Sequence, residues 1–307
     1  MFNQHHLERA CPACGATASS KFADERLDPG KMNDFTYASR KQPEFMCLRL
    51  VRCAQCDLVY APSPPDTSFL TSAYADAAYD SAEEAKCAAA SYAKALEPYV
   101  EHLRSRTAAV DVGAGNGALL GWLRQLGFAQ VVGIEPSRAA IDAASDDVRG
   151  LLREGMFSPE MLKDVTPSLI CSFMTLEHLA DPGVFVKTAF ELLEPGGMIA
   201  VVVHNWQGVL NRSLGLRSPI IDVEHLQLYN PKSVIALLKG AGFEAVDVCP
   251  ISNSYPMRYW LRLTPLPGTM KAAMGRLLER SALADLKIPL RVGNILAVGT
   301  KPSMESA

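Results

Sequence analysis

From Ala108 onward, short apolar runs alternate with helical segments, and this alternation limits the fold more than any other feature of the sequence. Four runs have the length and apolar character of buried strands: AAVDV, VVGIE, LICSFMT and MIAVVV. Such strands are typical of a parallel sheet that is covered on both faces. Helices are predicted at 116–127, 137–145, 181–193 and 231–241, and two later strands at FEAVDV and NILAVGTKP. The pattern predicts a doubly wound α/β sheet, with ligand chemistry at the carboxyl ends of its strands.

The composition excludes several classes of protein. The chain has 307 residues, enough for one α/β core and a smaller satellite. A net charge of -3 on a mixed surface gives no reason to expect a nucleic-acid or anionic-lipid partner. The N-terminal sequence MFNQHHLERACPACG has no apolar stretch of signal-peptide length, and no run approaches 18 apolar residues. We therefore expect a cytoplasmic protein without a membrane span.

The sequence divides into three parts with different character. The first is irregular and ends in a proline cluster, the second is rich in alanine with a helix start at Ser81, and the third carries the alternating pattern. The predicted parts are a metal-binding module at 1–66, a helical connector or cap at 67–106, and a catalytic domain at 107–303 with loop insertions at about 204–230 and 250–290.

A glycine-rich turn, DVGAGNG, follows the first strand of the third part. Glycines there let a ligand approach the backbone closely, and the turn opens a helix. Gly113-x-Gly115-x-x-Ala118 also fits the dinucleotide fingerprint, and Glu135 at the end of the next strand could accept ribose hydroxyls from either cofactor. Asp111, two residues before the first glycine, favours a cationic amino group over a pyrophosphate. The turn therefore favours a cofactor with an amino-acid end, with an NAD enzyme as the alternative.

Five motifs in order, DVGAGNG, GIEPS, FMTLEHLADP, LLEPGG and LLKGAGF, resemble the class I methyltransferases that use S-adenosylmethionine (SAM). The resemblance covers roughly residues 70–302 and implies a Rossmann-like, mostly parallel seven-stranded sheet with an antiparallel last strand. Pro167-Ser168 departs from the family, which usually has an Asp at this place. The resemblance implies these SAM contacts: Asp111 near the amino group; Gly113, Ala114, Gly115 and Gly117 beneath the methionine part; Glu135 and Pro136 at the ribose; Met156 and Phe157 beside the adenine; and Met174 and Leu176 on the pocket floor, unless these two simply pack in the core.

Two C-x-x-C pairs, Cys11/Cys14 and Cys53/Cys56, are separated by 38 residues. Each pair can form a knuckle whose backbone N–H groups face thiolate sulfurs, and four sulfurs make a closed site suited to structural Zn²⁺. Gly15 and Asp57 follow the pairs, where a knuckle needs positive φ. The alternative is four unligated or redox-active thiols. The layout resembles zinc-ribbon methyltransferases of bacterial sugar and secondary-metabolite pathways. The remaining cysteines are interpreted as small buried hydrophobic residues: Cys47, Cys87, Cys171 and Cys249.

Candidate catalytic residues follow the strands of the predicted sheet. His178 follows the fourth strand and His204 the fifth, while Glu224 and His225 lie in the long loop that follows. The loop resembles that of related sugar C-methyltransferases, which have a Glu-His pair there beside the substrate, and this favours Glu224 and His225 as catalytic residues, with His178 as a further candidate. A carboxylate can orient an imidazole ring and stabilise its protonated form. Each histidine could instead be a hydrogen-bonded packing residue. Tyr74 and Tyr79 are predicted either to cover the cofactor or to pack in the connector.

The predicted function is methyl transfer from SAM to a small molecule, at a hydroxyl or a carbon of a sugar or secondary metabolite. The C-methyltransferases of that group carry a further C-terminal domain, and this chain stops soon after its expected last strand, so a hydroxyl is favoured. The alternatives are an RNA or protein methyltransferase and a non-catalytic SAM-binding or zinc module. Residues 1–66 lack a dense basic stripe with aromatic residues, which counts against RNA. Residues 253–290 are predicted to form a lid, a homodimer contact or a membrane-facing surface.

Overall fold

The cysteine-bearing segment forms a small antiparallel sheet. The computed structural model describes residues 8–38, 43–264, 266–279, 281 and 283–303. The first strands are β1 (Ser19–Ala23), β2 (Leu50–Cys53) and β3 (Val59–Tyr60), and a 3₁₀ turn spans Pro29–Lys31. β2 pairs with both β1 and β3.

Two helices occupy the predicted helical connector. They are α1 (Thr67–Ala75) and α2 (Ala82–Val100). α1 begins with a side-chain cap, because Asp66 accepts a hydrogen bond from the N–H of Phe69 at 2.8 Å. Helix α2 starts directly after Ser81, as the sequence indicates, but the Ser81 hydroxyl makes no capping bond.

The alternating pattern gives the predicted strands in the predicted order. The elements up to the fifth strand of this sheet are β4 (Ala108–Val112), α3 (Leu120–Gln125), β5 (Gln130–Glu135), α4 (Arg138–Asp142), α5 (Asp146–Arg149), β6 (Leu152–Glu154), β7 (Leu169–Phe173), α6 (Pro182–Leu192) and β8 (Met198–His204). The 3₁₀ turns are Pro159–Leu162 and Leu176–His178. Neighbouring strands among β6, β5, β4, β7 and β8 pair in parallel.

The rest of the chain contains both predicted insertions and the last strands of the sheet. Its elements are α7 (Val209–Leu214), a 3₁₀ turn (Gly215–Arg217), β9 (Gln227–Leu228), α8 (Pro231–Gly240), β10 (Glu244–Pro250), β11 (Asn253–Pro256), α9 (Met257–Leu263), α10 (Gly268–Glu279), β12 (Lys287–Leu290) and β13 (Asn294–Thr300). The central sheet has the order β10-β13-β8-β7-β4-β5-β6, and β13 is antiparallel to both neighbours. The seven-stranded Rossmann-like fold with an antiparallel last strand is confirmed.

The helix after the glycine turn is shorter than the predicted 116–127. Gly115 has φ +56° and Gly117 has φ +73°, so the chain is left-handed there and α3 begins only at Leu120. The predicted helix at 137–145 likewise begins on a Ser137 cap and ends at Asp142. Both differences arise at the ends of helices, where local turn geometry overrides helix propensity.

Side chains alternate between two cores along the central strands. Residues 199, 201 and 203 of β8 pack in one core with α6, α8 and the four cysteines of the two pairs. Residues 198, 200 and 202 pack in the other core with α2 and α3. The N-terminal sheet therefore covers the same face of the central sheet as α6 and α8, with continuous apolar contact. Within the described residues, no helix combines the length and the apolar character needed to cross a bilayer.

Candidate functional site

A cavity of about 800 Å³ opens at the carboxyl ends of β4, β5, β7 and β8. This is the edge of a doubly wound sheet where ligands bind. Of the predicted cofactor and catalytic positions, all line the cavity except Gly117 and Leu176. Its volume lies within the range of about 300–1,000 Å³ that is typical of ligand-binding pockets.

The glycine turn exposes backbone to this cavity. A Cβ on Gly113 would lie 2.3 Å from Oγ1 of Thr175, so only glycine fits there, while a Cβ on Gly115 would meet no atom within 4 Å. The backbone N–H groups of Gly113 and Ala114 donate to the carbonyl of Ile134, which ties the turn to β5. Gly117 instead faces Leu120 and Val148, and its role is to let the turn pack.

Glu135 ends β5 with its carboxylate fixed by two backbone donors. Oε2 accepts from the N–H of Gly115 at 2.7 Å and Oε1 from the N–H of Ser137 at 2.8 Å. The residue is only 8% exposed, and burial raises the pKa of its carboxyl group above the ordinary value although the two bonds oppose this. Asp111 is also buried at the cavity wall. Two carboxylates thus stand about the glycine turn.

The remaining cofactor candidates lie on three other segments. Pro136, Met156 and Phe157 line the cavity, and the Phe157 ring packs on Phe185 with centroids 5.1 Å apart. Met174 lines the cavity and has a φ of +59°. Its backbone N–H donates to the carbonyl of Val202, which fixes its position.

Leu176 is fully buried in the core beside α6 and α8, away from the cavity lining. Its position corresponds to the core-packing alternative, whereas that of Met174 corresponds to the pocket floor.

The three predicted catalytic residues come together on the wall of the same cavity. The rings of His178 and His225 have centroids 5.0 Å apart, and Nε2 of His225 lies 3.8 Å from Oε1 of Glu224. His225 Nδ1 is 2.9 Å from the carbonyl of Ile220, and His178 Nδ1 is 3.2 Å from the carbonyl of Glu224. A carbonyl can only accept, so both rings carry their proton on Nδ1 when neutral, and Nε2 is the basic atom.

His204 completes a cluster of three histidines, with its ring 5.2 Å from that of His225. Nδ1 of His204 is 2.9 Å from Oδ1 of Asn294, and burial lowers the pKa of His204 to about 4. At neutral pH this ring is therefore uncharged and a weak base. Its chemistry differs from that expected of a general base.

Several lining residues have no recognisable signal in the sequence. They come from the cysteine-bearing segment, the connector and the last insertion: Tyr37, Leu70, Tyr92, Tyr255, Tyr259 and Trp260. Tyr74, named from the sequence, packs edge-on against His178 with centroids 5.7 Å apart, and Tyr79 also lines the cavity. Arg258 and Arg262 form ion pairs with Glu83 and Glu84, which hold α9 against α2. The last insertion therefore contributes part of the cavity wall.

Glu177, directly before His178 in the chain, is a buried acid that should make the stability of the fold depend on pH. Its Oε1 accepts from the N–H of His204 at 2.6 Å, Oε2 has no partner among the described residues, and burial raises its pKa to about 8. The unfolded chain loses this proton near pH 4.5 and the folded chain near pH 8, so stability falls as pH rises through that window. We expect Glu177→Gln to gain a few kcal/mol over the wild type between pH 5 and pH 8. Urea unfolding of both proteins at each pH measures this difference, and a constant difference would contradict the expectation.

The four paired cysteines form a compact cluster. Their Sγ atoms all lie within 4.8 Å of one another, with Cys11–Cys56 at 3.5 Å and Cys14–Cys53 at 3.6 Å. A tetrahedral ion at a Zn–S distance of ~2.3 Å needs sulfurs about 3.8 Å apart, so the set fits such an ion. Gly15 has φ +73° and Asp57 has φ +62°, as the knuckle geometry predicts, and the backbone N–H of Gln55 points at Cys53 Sγ.

Comparison with known proteins identifies the family. A family model described as a methyltransferase domain matches residues 82–248, more than half of the chain. The chain belongs to this methyltransferase family. A methyltransferase domain needs a methyl donor, which favours SAM over the dinucleotide left open by the glycine turn.

Relatives of this methyltransferase match only part of it. The ubiquinone biosynthesis O-methyltransferase of Nitrobacter winogradskyi is 34% identical over 109 residues, which cover 32% of this chain and 40% of that protein. The corresponding protein of Caulobacter vibrioides is 32% identical over 102 residues, covering 31% and 40%. The chain thus spans about two fifths of the length of these relatives. Among solved structures, a SAM-dependent methyltransferase of Thermotoga maritima has a TM-score of 0.47 and 19% identity, covering 71% of this chain and 93% of that one.

Proposed function

We propose that this methyltransferase transfers the methyl group of SAM to a hydroxyl of a small molecule. The observation that carries the proposal is a single cavity that joins the glycine turn to the cluster of Glu224, His225 and His178. The N. winogradskyi relative is named an O-methyltransferase, which agrees with a hydroxyl acceptor. A carbon acceptor of a sugar, the alternative from the sequence, has no comparable support.

The acceptor should have an apolar or aromatic body. Aromatic and aliphatic side chains form much of the cavity lining outside the glycine turn: Tyr37, Leu70, Tyr74, Tyr255, Tyr259, Trp260, Leu263 and Ile220. A bare sugar would leave most of this surface without an apolar partner. We therefore infer a hydroxylated secondary metabolite or similar compound.

The SAM end of the cavity is assigned to the residues around the glycine turn. Bound SAM supplies an electrophilic methyl group on a sulfonium. In the proposal Asp111 binds the amino group, Glu135 accepts from the ribose hydroxyls, and the open backbone at Gly115 contacts the methionine part. Met156 and Phe157 would flank the adenine.

The acceptor end is assigned to the histidine cluster. Nε2 of His225 would take the hydroxyl proton while the acceptor oxygen bonds to the methyl carbon and the carbon–sulfur bond breaks. Glu224 Oε1, at 3.8 Å, stabilises the imidazolium that forms. Tyr74 and His178 limit where the acceptor can lie, which favours the in-line geometry that the displacement needs.

A panel of hydroxylated aromatic compounds with radiolabelled SAM tests the function. We expect label transfer to at least one acceptor with the label resistant to mild acid, as in an aryl ether. SAM binding without transfer to any acceptor of the panel, or transfer only to protein or RNA, would contradict a small-molecule O-methyltransferase.

We also propose a structural zinc ion on Cys11, Cys14, Cys53 and Cys56. Four thiolates fill a tetrahedral site and leave no open position for substrate. We expect about one zinc per chain by elemental analysis and its loss in Cys53→Ser. Cys47→Ser is the matched control, because Cys47 is buried in the same module outside the cluster. Equal metal content in both variants would disprove the assignment.

A further inference from the structure

Strand β9 joins the loop that carries Glu224 and His225 to the antiparallel sheet of β1, β2 and β3. β9 pairs antiparallel with β3 through Val59–Leu228 and Tyr60–Gln227. The N–H of Ala61 donates to the carbonyl of Leu226 at 2.8 Å, which extends the pairing toward His225. The loop that carries Glu224 and His225 therefore ends as an edge strand of the N-terminal sheet.

Arg9 links three separate segments with one partly buried guanidinium. Its nitrogens donate to the carbonyls of Ala61, Ala180 and Leu226, and to the side-chain oxygen of Gln227. Burial lowers the pKa of Arg9 below its ordinary value, as expected of a cation held by neutral acceptors. Arg9 thus bridges the segment after His178 and the segment after His225.

Gln227 continues this link. Its amide nitrogen donates to the carbonyls of Leu176 and Leu179, which flank His178. The N–H of Leu226 donates to the carbonyl of Glu177 at 2.8 Å. The two histidine-bearing segments are therefore bonded to each other through Gln227 and to the N-terminal module through Arg9.

The second cysteine knuckle makes its own bonds to the catalytic domain. The indole N–H of Trp206 donates to the carbonyl of Asp57 at 3.0 Å, and the side-chain amide of Asn230 donates to the carbonyl of Cys56 at 3.2 Å. Asn230 also caps α8, directly after β9. The geometry of the knuckle is therefore transmitted to both ends of the insertion that holds the catalytic loop.

We propose that the cysteine module positions the acceptor site, with Arg9 and Gln227 as the positioning residues that set His178 against His225. The proposal rests on the proposed function of this cavity. It requires that loss of the module's geometry loosens 176–180 and 220–228 while the SAM crevice on β4 and β5 stays intact, because none of the bonds above reaches that crevice. The cysteine module then has a role in positioning the acceptor site in addition to its own fold.

Arg9→Met is the sharpest test. We expect amide exchange in 176–180 and 220–228 to become about tenfold faster, with exchange in 108–117 and 131–137 unchanged and affinity for S-adenosylhomocysteine within about twofold. Arg49→Met is the matched control, since Arg49 lies in the same module but pairs with Glu8 at the surface. Arg9→Lys should restore part of the protection, because an ammonium can still donate to two or three of the same acceptors.

Metal removal supplies the second test. Cys53→Ser should speed amide exchange in 176–180 and 220–228. Arg9→Met and Cys53→Ser should both alter the imidazole ¹⁵N signals of His178 and His225. Unchanged amide exchange in these two segments would overturn the proposal, since the module would then act on neither loop. An equal increase of exchange in 108–137 would also overturn it, since the module would then act on the whole fold. If the wild-type protein does not bind S-adenosylhomocysteine, the proposed function is refuted. If the wild-type protein contains no zinc, only the metal assignment is refuted.

Discussion

Glu135→Ala is expected to raise the dissociation constant of SAM about a hundredfold. The carboxylate would accept both ribose hydroxyls, and hydrogen bonds to a charged group contribute ~1.5–3 kcal/mol each. The side chain is already fixed by Gly115 and Ser137, so little entropy is lost when the ribose binds. Titration calorimetry with SAM and with S-adenosylhomocysteine measures the effect.

Two further variants separate ligand contact from support of the loop. Glu135→Gln keeps the shape but removes the charge and replaces one acceptor oxygen by an amide nitrogen, and we expect at least about a tenfold loss. Glu154→Ala removes a carboxylate from the end of the neighbouring strand, where it pairs with Arg138 at the surface, and should leave affinity unchanged. Equal affinity in Glu135→Ala and Glu154→Ala would remove Glu135 from the SAM site.

Local sequence patterns were sufficient to predict the central sheet and much of the crevice. β4, β5, β7 and β8 coincide with apolar runs because strands buried on both faces need such residues at every position. Gly113 was informative for a similar reason, since its Cβ would overlap Thr175 and no other residue fits. In both cases the structure restricts which residue type fits at that single position, so the residue type in the sequence indicates the structure.

Contacts between distant segments could not be predicted in this way. β9 is a two-residue strand in which Gln227 pairs with Tyr60, 167 positions earlier in the chain. No local periodicity in the sequence indicates a pairing over that distance. Arg9 was missed because a lone arginine near a terminus gives no sign of the four acceptors that surround it. Leu176 and Gly117 followed the family pattern but pack away from the cavity, since a motif transfers positions and not side-chain directions.

Placing the histidines required the tertiary structure for the same reason. His178 and His225 are far apart in the chain, and only the fold shows their rings 5.0 Å apart with both Nδ1 atoms facing backbone carbonyls. The sequence could name His204 as a candidate but not its burial, which makes it a weak base with a pKa of about 4. The division of roles among three histidines is therefore a property of their environments.

His225→Ala should lower turnover about a hundredfold, the scale expected when a general base is lost, with SAM affinity unchanged. The reason is geometric: Nδ1 of His225 is held by the carbonyl of Ile220, so Nε2 is the basic atom beside Glu224. Initial rates with the acceptor identified from the panel, at saturating SAM, measure the loss. Added imidazole should restore part of the rate, because removal of the ring leaves a space of its own size in the cavity.

Parallel variants distinguish the base from its neighbours. His178→Ala should cost less than His225→Ala, since the Glu224 carboxylate lies beside Nε2 of His225, whereas the backbone carbonyl of Glu224 faces Nδ1 of His178. Glu224→Gln should lie between them, because the imidazolium loses its counter-charge but keeps its orientation through Ile220. His102→Ala, an exposed histidine at the end of the connector, serves as the matched control and should keep full activity. A His225→Ala enzyme as active as this control would show that the proton leaves by another route, and a larger loss in His178→Ala would assign the base to His178.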